Sequence, residues 1–321
     1  MGMGMGMGEF DLIAWIRARS GGATDAVPLG IGDDCAIVRV GRGSDVLVTT
    51  DMLMDGRHFR LGEHTPEQVG YKALAVNLSD IAAMAGVPRA AFVAVALPRG
   101  EAVAIAHGLH AGMAPLAERF GVTLAGGDTN AWDGPLVVGV TLLGETTGSG
   151  PVRRSGARVG DAIFVTGPLG GSLASGRHLR PEPRVHEALN LAMHVPIHAM
   201  IDLSDGLAAD LGHILVESGG LGADLVAEAI PIHPDAEAMG RSAGRTPLDR
   251  ALGDGEDFEL CLTIPAEYRA ALIDEAPDGV DLHWIGTVAA DPGIRLHLPD
   301  GTIRAHLGRG FDHLAPSRPT P

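Results

Sequence analysis

The strongest pattern in the chain begins at Pro66, where apolar side chains recur every three or four residues and polar ones are few. Leu74, Leu78 and Ile81 form a helical stripe, and the spacing predicts a helix from Pro66 to about Ala85, closed by Gly86 and Pro88. Glu9–Arg19 has similar spacing through Phe10, Ile13, Ala14 and Arg17. Cys35–Val40 and Asp45–Thr50 read as strands joined by Gly41-Arg42-Gly43. Arg89–Leu97 reads as a strand, Glu101–Phe120 as a second helix, and Val122–Ala125 and Leu136–Leu143 as two more strands.

Thr146–Ser149, followed by Gly150 and Pro151, marks a boundary, after which the alternation restarts. Strand Ala162–Thr166, a helical region and strand Ala199–Ile201 lead to helix Leu207–Ser218 and strand Ala223–Ala227. Strand Phe258–Ile264, helix Ala266–Glu275 and strand Leu282–Val288 follow. The pattern predicts an α/β (α+β) fold in two halves without a sequence repeat between them: a leader at 1–8, a first domain at 9–147 and a second at 148–321. The leader MGMGMGMG lacks the basic and apolar regions of a signal peptide, and the tail from His313 is expected to fray.

Composition narrows the function. Aromatics are 4% of the chain, so the core is built from small aliphatic residues. A net charge of −16 argues against nucleic-acid or anionic-membrane binding. The longest apolar run, Ala90–Leu97, has 8 residues, too few to span a membrane. Lys72 is the sole lysine, so a G-K-[ST] phosphate loop is excluded. Cys35 and Cys261 both lie in apolar strand contexts and read as reduced, which suits the cytoplasm.

Aspartates follow the predicted strands in glycine- or hydroxyl-rich contexts: GIGDDC, TTDMLMDG, GGDTN and IDLSDG. Each alone is ordinary turn or N-cap chemistry. Neighbouring side chains alternate on an extended chain, so Asp33 and Asp34 are expected to point opposite ways, with one of them inward. Asn77 and Asp80 share a face of the long helix. If these carboxylates converge, hard oxygen ligands without HExxH or CxxC favour Mg2+ holding a polyphosphate. His58 lies near that region, whereas His107 and His110 read as solvated. The Gly-rich turn TGPLGGSLASG is a weak candidate for receiving an anion, and GDGEDFELCLTI sets Glu256 and Asp257 before a strand.

Together these segments resemble the thiamine-monophosphate kinase family, within the superfamily of aminoimidazole-ribonucleotide synthetase and selenophosphate synthetase. The likeness runs from GEFDLIAWI through GIGDDCAIV, TTDMLMDGRHF, YKALAVNLSDIAAMAG and GGDTN to RRSGARVGDAIFVTG, IDLSDGLAADLGHI, GDGEDFELCLTI and GRGFDHL. It implies ATP-dependent phosphorylation of thiamine monophosphate to thiamine diphosphate, with several Mg2+ ions and, as an open point, K+. It implies a homodimer built on the N-terminal ATP- and Mg2+-binding domain, with the active site in the cleft against the C-terminal domain. By the same resemblance Asp34, Thr49, Thr50, Asp51, Asp80, Asp128, Asp202 and Asp205 are metal ligands. Gly127, Asp128, Arg154 and Ser204 contact ATP, while His58, Glu256 and Phe311 contact thiamine. Asp34, Asp51, Asp128 and Arg154 then carry the chemistry. The segment after Ser172 is shorter than the family pattern. No counterpart of the reactive cysteine or selenocysteine of selenophosphate synthetase is present. The alternatives are a related ATP-dependent synthetase or a silent Mg2+/nucleotide-binding regulatory dimer.

Overall fold

The computed structural model describes residues 23–41, 44–148 and 150–305, together with Ala14, Arg17 and Ala18. The leader, most of the helix expected over Glu9–Arg19, two residues of the Gly41–Gly43 turn and the tail with Phe311 lie outside the described residues.

The first half forms a five-stranded sheet from β1 (Ala36–Gly41), β2 (Ser44–Met54), β3 (Val87–Pro98), β4 (Thr123–Trp132) and β5 (Val137–Glu145), in the order β1-β2-β5-β3-β4. Two helices belong to it, α1 (Pro66–Ala83) and α2 (Ala102–Arg119). Thr65 caps α1: its hydroxyl accepts from the Gln68 amide while the Gln68 side chain accepts from the Thr65 amide, and Pro66 presets the first turn. The two helices approach closely because glycines face each other's backbones. A Cβ on Gly70 would lie 2.1 Å from Leu109 O, and one on Gly112 would lie 1.9 Å from Glu67 O.

The second half begins with β6 (Ala162–Val165), α3 (Ser172–Ser175), α4 (Val185–His194), β7 (Ala199–Asp202), α5 (Leu207–Glu217) and β8 (Gly222–Val226). It continues through α6 (Pro234–Met239), α7 (Pro247–Gly253), β9 (Leu260–Ile264), α8 (Arg269–Asp274), β10 (His283–Ala289), β11 (Gly293–His297) and β12 (Ile303–Arg304). These strands form one seven-stranded sheet, ordered β12-β11-β8-β10-β6-β9-β7. The α/β class is as expected, and the short elements α6, α7, β11 and β12 are additions to it.

One hydrophobic core runs through both halves. Leu74, Leu78 and Ile81 of α1 belong to the same buried cluster as Leu191 of α4, Met200 of β7 and Leu262 of β9. Helix α1 is central, with 13 of its 18 residues buried. A helix without a solvated face must be enclosed on several sides, and α1 packs on β2 and β5 as well as on α4 and β7.

Strand alternation divides the first sheet into two faces. On β2, Leu47, Thr49, Asp51 and Leu53 turn toward α1, whereas Thr50, Met52 and Met54 turn outward and are exposed. Among the described residues, no helix is long and apolar enough to cross a membrane.

Candidate active site

Asp34, Asp80 and Asp202 come together from three separate segments, each offering a carboxylate oxygen within 4.8 Å of the others. Asp34 lies in the bend before β1, Asp80 on the last turn of α1 and Asp202 at the end of β7. Neighbours hold them in place. Ser79 Oγ donates to Asp202 at 2.7 Å, and the Thr49 hydroxyl donates to Asp80. Asp51 joins from the inward face of β2 by a side-chain hydrogen bond to Asp80.

Burial and mutual repulsion raise the proton affinity of this group. Asp80 is held well above the usual carboxylate range by burial and then by Asp51, Asp202 and Asp34. Burial and then Asp34 push Asp202 upward; burial also raises Asp51, against the hydrogen bond from Asp80. The cation beside them is Arg154, whose Nη2 and Nε donate to the two Asp34 oxygens at 2.9 and 3.1 Å. Burial works against the Arg154 charge, but Asp34 outweighs it and the guanidinium stays protonated. Four clustered carboxylates against one arginine can all ionise only when a further cation joins them; otherwise they hold protons. Their hard, all-oxygen donor set fits a divalent cation such as Mg2+.

The doublet Asp33–Asp34 does separate in role, but not by strand alternation, because both residues precede β1. The Asp33 carboxylate accepts from the Arg154 backbone amide at 3.2 Å and so fixes the chain that carries the guanidinium. Burial, with Asp34 next to it, raises Asp33 to about 7.

A cleft of about 550 Å3 opens from Asp51 and is lined further along by His58, Lys72, Ser204, Asp205 and Glu256. Phe258, Val76, Leu53 and Leu173 supply its apolar wall. His58 Nδ1 accepts from the Met54 amide at 3.0 Å, which orients the ring. Asp210 accepts from the amides of Asp205 and Gly206, both at 3.0 Å, and shapes the turn carrying Ser204 and Asp205.

Other expected site residues lie elsewhere. Asp51 pairs through Val140 and Val93 with Gly127, while Met52 pairs through Gly139 and Ala94 with Asp128. Paired residues share a face, so Asp128 lies on the outward face with Met52, three strand spacings or about 14 Å from β2. Within one chain it cannot bind the same ion as Asp51. Thr50 also faces outward, with its hydroxyl 3.0 Å from that of Thr141. Gly127 sits on β4, where a Cβ would lie 1.8 Å from Val93 O. Asn77 donates to Ala73 O at 2.9 Å, but its buried Oδ1 has no partner among the described residues.

Two readings from sequence change. The strands are longer than they appeared: Asp51 and Asp128 lie within β2 and β4 rather than after them. The Gly-rich turn before α3 is not an anion cradle, since the Gly170 and Gly171 amides donate to Asp257 and Asp254 at 2.9 and 3.1 Å. Lys72, Asp210 and Ser79 were not singled out as site residues. Only Lys72 left a signal, as a lone cation in an otherwise uncharged stretch of helix from Val69 to Ser79.

Comparison with known proteins gives this geometry a family. Residues 32–146 match the model of AIR synthase related protein, N-terminal domain. The thiamine-monophosphate kinase of Rhodopirellula baltica is 41% identical, covering 95% of this chain and 97% of its own length. That of Escherichia coli K12 is 35% identical over 97% of this chain and 99% of its own length. A solved structure, AaThiL complexed with AMPPCP and TMP, superposes with a TM-score of 0.82 at 30% identity, covering 98% of this chain and 99% of that one. A HypE–HypF complex chain, at 17% identity and a TM-score of 0.73, shares the fold. Identity of this order along nearly the whole length places the chain in the thiamine-monophosphate kinase family.

Proposed function

We propose that the chain transfers the γ-phosphoryl group of ATP to thiamine monophosphate, giving thiamine diphosphate and ADP. The observation that carries this reading is a buried carboxylate cluster at one end of a cleft whose other end combines an apolar wall with Glu256 and His58. The relatives named thiamine-monophosphate kinase and the neighbour holding AMPPCP and TMP support the substrates.

Asp34, Asp51, Asp80 and Asp202 would hold Mg2+, with Thr49 and Asp205 at the margin of the same group. Bound there, the metal supplies charge neutralisation between two phosphates. Arg154, fixed through its backbone by Asp33 and through its side chain by Asp34, holds a permanent positive charge where ATP and acceptor meet. Ser204 serves the nucleotide, and His58 and Glu256 serve thiamine. A base is not required. The acceptor phosphate has a second pKa of about 6 and is already nucleophilic at neutral pH, so the residues orient it for in-line attack.

We further read residues 9–147 and 148–321 as two domains meeting at the cleft, and the first as the basis of a homodimer. Met52, Phe92 and Trp132 on the outward side of its sheet are 60%, 41% and 44% exposed, large apolar side chains on a face that suits a second copy. In that assembly Asp128 and Thr50 face the partner, while Gly127 stays on the inward face with Asp51. Two buried, unpaired thiols suit a cytoplasmic enzyme.

The test is incubation with ATP, Mg2+ and thiamine monophosphate, followed by chromatographic separation of thiamine diphosphate and ADP. Both products are expected in equal amounts, and neither without Mg2+. Acceptance of free thiamine instead of its monophosphate would overturn the assignment.

A further inference from the structure

Lys72 is the only lysine in the chain and is fully buried in the middle of α1. A buried ammonium ion costs several kcal/mol unless it is paired, and an apolar residue of similar volume is often as stabilising or more so. Core packing therefore does not explain a lysine at this position. Its partners do. The ammonium donates to the Glu256 carboxylate and, at 3.2 Å, to the His58 carbonyl oxygen. Both partners line the cleft.

Glu256 stands in a constrained segment. It has φ 56, and Phe258 has φ 54, both in the left-handed region that non-glycine residues seldom occupy. The backbone around it is pinned, with the Glu256 amide donating to Ser204 O at 2.7 Å and its carbonyl accepting from Ser172 Oγ at 2.7 Å. These bonds fix the main chain but not the carboxylate. Among the described residues, Lys72 is the side chain that holds the carboxylate, through Oε2.

We propose that Lys72 is a positioning residue for the acceptor substrate. It ties Glu256 from the second half and the His58 loop from the first half to a single point on α1. Asp80 follows eight residues later on the same helix, an axial separation of about 12 Å. Helix α1 thus sets the distance between the end of the cleft that recognises thiamine and the carboxylates that gather phosphate. The inference rests on the reading that Glu256 and His58 touch thiamine monophosphate.

The experiment compares wild type, K72M, E256Q and K72M/E256Q by steady-state kinetics and thermal melting. K72M is expected to raise KM for thiamine monophosphate tenfold or more, while KM for ATP stays within twofold. K72M/E256Q is expected to lie within threefold of E256Q alone, because the lysine acts mainly through that carboxylate: the His58 turn keeps its own bonds, the His58 amide to Met54 O and the Met54 amide to His58 Nδ1, both at 3.0 Å. If K72M fails to fold, the comparison of the double variant with E256Q still decides. A further tenfold loss in the double variant, or equal rises in KM for both substrates in K72M, would overturn the proposal. Wild-type turnover with K72M unaffected overturns the positioning role alone. Wild-type protein that makes no thiamine diphosphate overturns the functional reading, and the positioning role with it.

Discussion

Asp51 illustrates how function and stability pull against each other at single residues. It is brought up against Asp80 with Asp34 close by, and burial raises the proton affinity of both Asp51 and Asp80. Removing its charge relieves repulsion, so Asp51→Asn should melt no lower than wild type in the absence of Mg2+. The same change removes a group proposed to hold the metal, so turnover should fall about a hundredfold or more, the usual scale for losing a preorganised electrostatic contact. Parallel melting curves and assays check both halves of this expectation. The protonation of the cluster gives a second one. Asp33 is raised to about 7, and Asp80 and Asp202 lie above their ordinary value. The folded, metal-free protein therefore keeps protons that the unfolded chain releases near pH 4, and stability falls as pH rises from about 4 through about 8. Mg2+ held by this carboxylate set, as proposed, would have to displace those protons, so its affinity should climb with pH over the same interval. Calorimetric titration in two buffers of different ionisation enthalpy would reveal the proton release; a pH-independent affinity would refute it. Asp34, Asp80 and Asp202 were singled out in the sequence because each borders a recognisable element: Asp34 shortly precedes β1, Asp80 lies in the last turn of α1 and Asp202 closes β7. The outward orientation of Asp128 was not, since the face of a strand residue depends on which strands pair. Lys72 was read only as the absence of a phosphate loop, because a lone lysine in a helix ordinarily reaches water. The signal lay in its neighbours, which leave α1 no solvated face.

Helix α1 was predicted almost to its ends, and the reason is local: Thr65, Pro66 and Gln68 form a complete start signal. The strands fared less well. The sequence reading stopped β2 at Thr50 and the fourth strand at Ala125, because aspartate and glycine there resemble turn chemistry. In the structure both continue, to Met54 and Trp132, since the ladders through β5 and β3 satisfy their backbones. The close crossing of α1 and α2 was also hidden, because a glycine's role in packing depends on the opposing helix. It can be tested directly. Gly112→Ala would place a methyl group against Glu67 O, force the helices apart and cost about 1–3 kcal/mol. Denaturant midpoints should report that loss. Because α1 carries both Lys72 and Asp80, activity at temperatures well below the melt should fall as well.

The division into two α/β halves was legible from the restart after Pro151, yet the core common to both was not. No periodicity in one half announces that its central helix will be covered by elements of the other. The two outward-facing residues that resemblance assigns to the metal, Thr50 and Asp128, also find their meaning only in the assembly. If a second copy covers that face, Phe92→Asp should convert the dimer to a monomer in sedimentation velocity and remove most activity. Mixing Asp51→Asn with Asp128→Asn protein should then restore part of the turnover, provided each site draws on both copies. No recovery after subunit exchange would place Asp128 outside the partner's site.

The solitary, enclosed Lys72 has a practical consequence as well. Amine-directed reagents such as succinimidyl esters find no lysine on the native surface, since the only ε-amino group is 0% exposed. In the folded protein such reagents would modify just the chain's α-amino group. Acylation of Lys72 would register only when α1 comes away from its surroundings, so mass spectrometry of the labelled protein could time that opening without any engineered probe.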